Sequence, residues 1–208
     1  MEKDKKQHIL EAAEDLFARK GFEAATVRDI ADAANVNLAM ISYYFGSKEK
    51  LMEDLFHQRM DTMKMKVELL LKDKALTPFE KIESVLEGYV KKVIEKQSFY
   101  KILLCEQVTK KSPVIVRLVR ELKINYADLF SELVKEGQRK KLFKKNIDIV
   151  MALSTMTGTV TQMVINKEYY ADFNQQKDLS ETELSALLYK NILAHLKSIF
   201  KTILGYEL

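Results

Sequence analysis

Residues 26–48 read TVRDIADAANVNLAMISYYFGSK, and they hold two short helical patterns separated by a tight break. Thr26, with Asp29 three residues on, has the form of a capping box: a hydroxyl on the first free N–H groups and an acid reaching back. Ile30, Ala31 and Ala34 fall at i, i+1 and i+4, one apolar face of a helix of two turns. Asn35-Val36-Asn37 interrupts it. Asn tolerates a left-handed backbone, so Asn35 can make the sharp turn, and Asn37 can cap a second helix over residues 38–44. Ser47 is placed to cap a third beginning at Lys48. Two short helices joined in this way make a helix-turn-helix, whose second helix is shaped for the major groove of duplex DNA.

The flanking sequence supplies the support such a unit needs. Ile9, Ala13, Leu16 and Phe17 recur at helical spacing and predict a helix over residues 5–20, closed by Gly21 with Phe22 folding back on its last turn. A small core of Leu16, Phe17, Phe22, Ile30, Ile41, Phe45 and Leu51 follows. Beyond it, the apolar pattern from Leu51 to Leu71 predicts one long helix over residues 48–72, roughly 35 Å at 1.5 Å per residue. Thr77-Pro78-Phe79-Glu80 opens the next, to about residue 96. Further helices are expected over residues 99–109, from Ser112-Pro113 to a stop at Gly137, from a cap at Asn146, and from the capping box Ser180/Glu183 to the end. Gly158 lies inside the helix that Asn146 opens, where glycine is costly unless a neighbour approaches closely. Leu187, Leu188, Ile192, Leu196, Ile199, Phe200 and Ile203 give the last helix a face wider than its own chain requires. The expected architecture is all-α: a three-helix head over residues 1–50 and a larger helical body over residues 51–208.

Composition agrees with helix. Among 208 residues there are two Pro and six Gly, and the net charge is +4. The first 50 residues carry eight bases and nine acids, so a case for nucleic acid rests on where charges sit and not on their sum. Lys135, Arg139, Lys140, Lys141, Lys144 and Lys145 form the one strongly basic run, which has two readings, a second nucleic-acid patch or a solvated turn between helices, and charge runs of this kind are usually the latter. A single cysteine, Cys105, excludes an internal disulfide and suits a reducing compartment. No signal core or membrane-length apolar run is present, so a soluble cytoplasmic protein is expected. His8, His57 and His195 lack metal-ligand spacing, and no glycine-rich phosphate loop, nucleophile elbow or paired-carboxylate motif points to an enzyme. No cofactor or metal is expected.

Thr26-Val27-Arg28-Asp29-Ile30-Ala31, then Val36, then Tyr44-Phe45-Gly46-Ser47-Lys48-Glu49-Lys50-Leu51 resemble the N-terminal signature of the TetR family of bacterial and archaeal transcription regulators. The resemblance covers roughly residues 5–55. It implies a homodimer, paired through the helix opened at Asn146 and the terminal helix (eighth and ninth in the expected order), that represses from a palindromic operator. It also implies that Asn37, Leu38, Ala39, Met40, Ser42, Tyr43 and Tyr44 fall where the family contacts DNA, with Thr26, Val27 and Arg28 at the start of the preceding helix. Ser42 departs from the Tyr common at that point.

The chemistry of these side chains narrows their roles. Leu38, Ala39 and Met40 can touch thymine methyl groups but read no donor pattern, whereas Asn37 and Ser42 can donate or accept. Tyr43 and Tyr44 suit phosphates through their hydroxyls, as do Thr26 and Lys48 at helix starts. Arg28 alone can make a bidentate bond to guanine.

A body of this family usually encloses an effector pocket. The lining expected here is Met60, Met63, Tyr89, Phe99, Leu103, Tyr126, Phe130, Thr155, Thr159 and Gln162, fitted to an apolar ligand with a few polar atoms. Thr155, Thr159 and Gln162 share one helix face, although hydroxyls there can also bond back to their own helix. A body that recruits a protein partner is the alternative, and it would show an exposed apolar patch.

Overall fold

Three capping boxes fix where helices begin. Thr26, Thr77 and Ser180 each accept a bond from the backbone three residues on, and Asp29, Glu80 and Glu183 reach back to the cap N–H. A computed structural model describes residues 2–206, without the side chains of residues 2–4, Arg59 and Met63. Its elements among the described residues are all helices: α1 Glu2–Lys20, α2 Val27–Ala33, α3 Leu38–Phe45, α4 Lys48–Lys72, α5 Pro78–Glu95, α6 Gln97–Thr109, α7 Pro113–Arg139, α8 Ile149–Ile165, α9 Lys167–Phe173 and α10 Glu181–Leu204.

Four features differ from the sequence expectation. α9 is an additional short helix after α8, so the terminal helix is the tenth. α8 is capped by Asp148, whose carboxylate accepts from the Met151 N–H, and not by Asn146. α1 begins at Glu2, three residues before the expected start. Gly137 does not end α7, which continues to Arg139. Its lack of a side chain serves packing instead: a Cβ there would lie 2.1 Å from the ring of Phe143, which folds back beneath the helix end.

By its contacts the chain divides into two units. The first comprises residues 1–63 and 98–125, which hold α1–α3, the first part of α4, most of α6 and the start of α7. Every residue of the expected head core is buried: Leu16, Phe17, Phe22, Ile30, Ile41, Phe45 and Leu51. Phe56 of α4 meets Phe99 of α6 at 5.2 Å between ring centroids, and both are buried.

The second unit comprises residues 64–97 and 126–208. Here α10 lies against α5 and α8. Ile82, Leu86 and Val90 of α5, Val160 of α8 and Leu188, Ile192, Leu196 and Phe200 of α10 are buried, each large side chain stabilising by about 1.5–3 kcal/mol. α4 passes from one unit into the other without a break, and residue 50 lies in its first turn. No single helix among the described residues is long and apolar enough to cross a membrane.

Candidate nucleic-acid interface

α3 is held from behind. Ile41 and Phe45, at i and i+4, are 1% and 5% exposed and face the head core, which turns the opposite side of the helix to solvent. That side carries Leu38, Ala39, Ser42 and Tyr43, with Met40 and Tyr44 half-buried at its edges. Tyr43 is 74% exposed, and its ring stands edge-on to Tyr44 at 5.1 Å. The helix has eight residues, about 12 Å long at 1.5 Å per residue, and its diameter of about 10–12 Å with side chains suits a major groove about 12 Å wide.

The turn that presents α3 follows from two asparagines. Asn35 takes φ +50°, the left-handed conformation that this residue type tolerates, and the Val36 N–H closes on the Ala31 carbonyl at 2.9 Å. Asn37 caps α3, its Oδ1 accepting from the Ala39 N–H at 2.9 Å. Asn37 is exposed, and capping uses only its amide oxygen, which leaves the amide N–H groups as donors. His8 of α1 braces the same turn, its Nε2 lying 3.1 Å from the Ala34 carbonyl oxygen.

At the start of α2 the hydrogen bonds redistribute the expected roles. Both the N–H and the hydroxyl of Thr26 donate to Asp29 Oδ2, each at 2.9 Å, so neither is free for a phosphate. Asp29 also accepts from Lys20 Nζ at 3.1 Å. These bonds hold its carboxyl down at about 2, the Thr26 N–H contributing most, then the Thr26 hydroxyl and Lys20. Arg28, in the same first turn, is exposed and makes no ion pair among the described residues. Val27 beside it is half-buried.

Lys48 is turned inward. Its ammonium donates to the carbonyls of Phe22 at 2.8 Å, Ala25 at 3.0 Å and Glu23 at 3.4 Å, and it stands 4.4 Å from the Phe22 ring centroid. An ammonium has three donors, and all three are engaged by the α1–α2 loop. The side chain therefore ties the first residue of α4 to the segment leading into α2. Sequence reasoning missed this clasp, since loop carbonyls leave no signature in side-chain types.

The residues expected around an effector fall in both units. Met60, Phe99 and Leu103 belong to the first, where Phe99 and Leu103 are buried and Met60 is half-buried. The side chain of Met63 lies outside the described residues. Tyr89, Tyr126, Phe130, Thr155, Thr159 and Gln162 belong to the second. Burial, with Tyr126 nearby, pushes the Tyr89 hydroxyl well above its ordinary range. The Thr155 hydroxyl donates to its own helix at the Met151 carbonyl, 2.9 Å away, while Gln162 is exposed. Among the described residues no group of three or more His, Cys, Asp or Glu is placed to hold a metal ion.

Residues 9–55 match the family model described as bacterial regulatory proteins, tetR family. Over 164 residues the chain is 25% identical to the probable acrEF/envCD operon repressor of Escherichia coli (strain K12), covering 77% of this chain and 74% of that one. It is also 25% identical over 170 residues to the fatty acid metabolism regulator protein of Bacillus subtilis (strain 168), covering 80% and 87%. Among solved structures, the fatty acid degradation regulator FadR from Bacillus halodurans superposes with a TM-score of 0.71 at 24% identity, covering 92% of this chain and 97% of that one. The FadR of Bacillus subtilis, solved in complex with stearoyl-CoA, gives 0.65 at 23% identity, with the same coverage. These likenesses in structure speak for the fold.

Proposed function

We propose that this chain, a member of the TetR family of transcriptional regulators, is a repressor that binds a palindromic operator as a homodimer and is released by an amphipathic acyl effector. The observation that carries the DNA-binding part is the outward side of α3, with Tyr43 and Ser42 exposed over a buried Ile41 and Phe45 on a turn capped at both ends. Residues 1–50 act as the reading head and residues 51–208 as the sensing and pairing body. Arg28 reads a base, Leu38, Ala39 and Met40 make apolar contacts to bases, and Tyr43 and Tyr44 hold phosphates. Val27 stands at the rim of this surface. Thr26 and Lys48 act indirectly, by holding the ends of α2 and α4.

The test begins with operator selection from a random duplex pool using the purified chain. Arg28→Ala combined with Tyr43→Ala is expected to lower affinity for the selected duplex at least tenfold with the helical circular dichroism spectrum intact, since one bidentate base contact alone is worth about 1–3 kcal/mol. Undiminished affinity in that double variant would remove the reading.

Pairing through α8 and α10 is supported by the empty side of Gly158. Apart from the adjoining backbone of its own helix and its two chain neighbours, no described heavy atom lies within 4 Å of where its Cβ would stand, and Met151, Ser154 and Ile165 are exposed on the same helix. A glycine in mid-helix costs about 1 kcal/mol relative to alanine, a cost offset if a second copy's helix packs closely there. Gly158→Leu is therefore expected to stabilise an isolated chain yet shift sedimentation from dimer toward monomer, and to weaken operator binding in step. An unchanged dimer would place the pairing face elsewhere.

The acyl effector is supported by sequence likeness to the Bacillus subtilis fatty acid regulator across most of both chains, and by the buried aromatic rings of Tyr89 and Phe130 in the second unit. Release requires the ligand to bind the operator-competent and released states unequally, and α4 is the element continuous with both units. Titrating long-chain acyl-CoA into the protein–operator complex addresses this step. A protein partner is the second reading, favoured by the exposed rings of Tyr169 and Phe173 on α9, 70% and 76% accessible.

A further inference from the structure

The excess positive charge of this chain does not sit in its head. It collects at one end of the second unit, where several chain segments meet. Lys81 of α5 bonds both the Leu71 carbonyl of α4 and the Glu136 carboxylate of α7. The Lys144 N–H donates to the Leu204 carbonyl at the end of α10, at 2.9 Å. Tyr206 stacks on Phe79 of α5 at 4.6 Å and stands edge-on to Phe143. Lys72, Lys74, Arg139, Lys141, Lys144 and Lys145 are all exposed at this end, and none makes an ion pair among the described residues.

Two features separate this patch from an ordinary solvated turn. Among the described residues the bases at this end outnumber the acids, and those acids, which keep their charge, are held in local structure. Asp73 caps the Ala75 N–H, Glu80 caps Thr77, Asp148 caps α8, and Glu136 is bound between Lys81 and Lys140. The basic loop is also fixed. Gln138 Nε2 donates to the carbonyls of both Lys144 and Lys145, at 3.0 and 2.9 Å. Phe143 is buried under Gly137, and Lys141 is turned outward at φ +58°. With the backbone pinned, the loop itself need not be ordered when an anion binds, and only the side chains of the cations lose freedom.

We infer that this end of the body is a second, sequence-independent contact surface for the phosphate backbone of duplex DNA, engaged by Arg139, Lys141, Lys144 and Lys145. Charge complementarity argues for the occupant: several unpaired cations face outward on a protein that its α3 surface already brings to DNA, and counterion release favours such contacts. An anionic membrane fits less well, because Leu142, 38% exposed, is the one large apolar side chain within the loop that is exposed enough to insert. The surface would add a salt-dependent, sequence-independent affinity for duplex DNA to that of the α3 surface.

The test uses the full chain and a 30-base-pair random-sequence duplex. The Arg28→Ala/Tyr43→Ala variant, impaired at the reading surface, is expected to retain weak, steeply salt-dependent binding. Adding Lys141→Glu, Lys144→Glu and Lys145→Glu is expected to reduce that residual binding at least tenfold and to lower the salt slope by about 2–3. In the otherwise native chain, these three reversals should change affinity for a short selected operator less than twofold. The Lys→Gln triple variant repeats the measurement without repulsion and stands in if the reversals disturb folding. Residual binding unaffected by either triple variant, or no residual binding at all, overturns the proposal. So does stronger capture of the native chain by phosphatidylserine vesicles than by the duplex. Because the operator measurement reads α3 and the random duplex reads the basic end, either reading can fail without the other.

Discussion

Glu136→Ala is expected to cost the chain about 3 kcal/mol of stability, the range in which removing one partner of a buried pair falls. Lys81 is 1% exposed and Glu136 13%, and the ammonium reaches both carboxylate oxygens at 3.0 and 2.9 Å. With Glu136 gone, the buried ammonium keeps, among the described residues, the Leu71 carbonyl at 3.4 Å. The converse change is milder. In Lys81→Met the apolar stem is retained and Glu136 still accepts from Lys140 at 2.9 Å. Replacing both, as Lys81→Met/Glu136→Leu, should restore nearly native stability, because an apolar pair need not overcome the desolvation of two charges. Urea unfolding of the three variants distinguishes these outcomes, and a loss below about 1 kcal/mol in Glu136→Ala would contradict the account. Acid should have a parallel effect. Burial raises the Glu136 carboxyl, but the bonds from Lys81 and Lys140 outweigh it and hold the group below its ordinary value. The stabilisation is therefore complete above the unfolded carboxylate range and is lost as pH falls through the lower folded value.

That pair also marks where sequence reasoning stops. The inward face of α5 was legible from Ile82, Val85, Leu86, Tyr89 and Val90, because apolar periodicity is local. Lys81 lies beside that face and is buried only because an acid 55 residues away meets it, and no local pattern carries such a partner. Glycines show the same limit. A glycine that stops a helix and one that makes room for a ring look alike in sequence, so Gly137 read as the end of α7 when its work is to admit Phe143. At α8, Asn146 and Asp148 are both able caps two residues apart, and geometry chose the second. The head was more legible: Thr26, Asn35, Asn37 and the apolar set from Leu16 to Leu51 each act through neighbours a few residues away or through one small core. The effector residues were the least legible. Helical spacing places Thr155, Thr159 and Gln162 on one side of α8 without saying whether that side meets the interior, a second copy or water.

Lys48→Met is the change that separates holding the head from touching DNA. The variant keeps the aliphatic stem against Phe22 and removes the charged bonds to the carbonyls of Phe22, Ala25 and Glu23. Hydrogen bonds to a charged group are worth about 1.5–3 kcal/mol net; water can replace part of this at an exposed loop, so a loss of about 2 kcal/mol from the stability of the head is expected. The loop leads directly into Thr26 and α2, and α2 sets the angle of α3. Operator affinity should accordingly fall at least tenfold at temperatures where the chain remains folded. The salt dependence decides the cause. A lysine that neutralised a phosphate would, on removal, lower the slope of log K against log salt by about 0.9, whereas a lysine engaged with carbonyls leaves the slope unchanged while the affinity drops. Arginine at this position should not rescue, since its planar fork cannot serve three carbonyls converging on one nitrogen. A slope reduced by about one charge, with the thermal stability of the head unaltered, would return Lys48 to the DNA backbone and leave the start of α4 without its tie to the loop before α2.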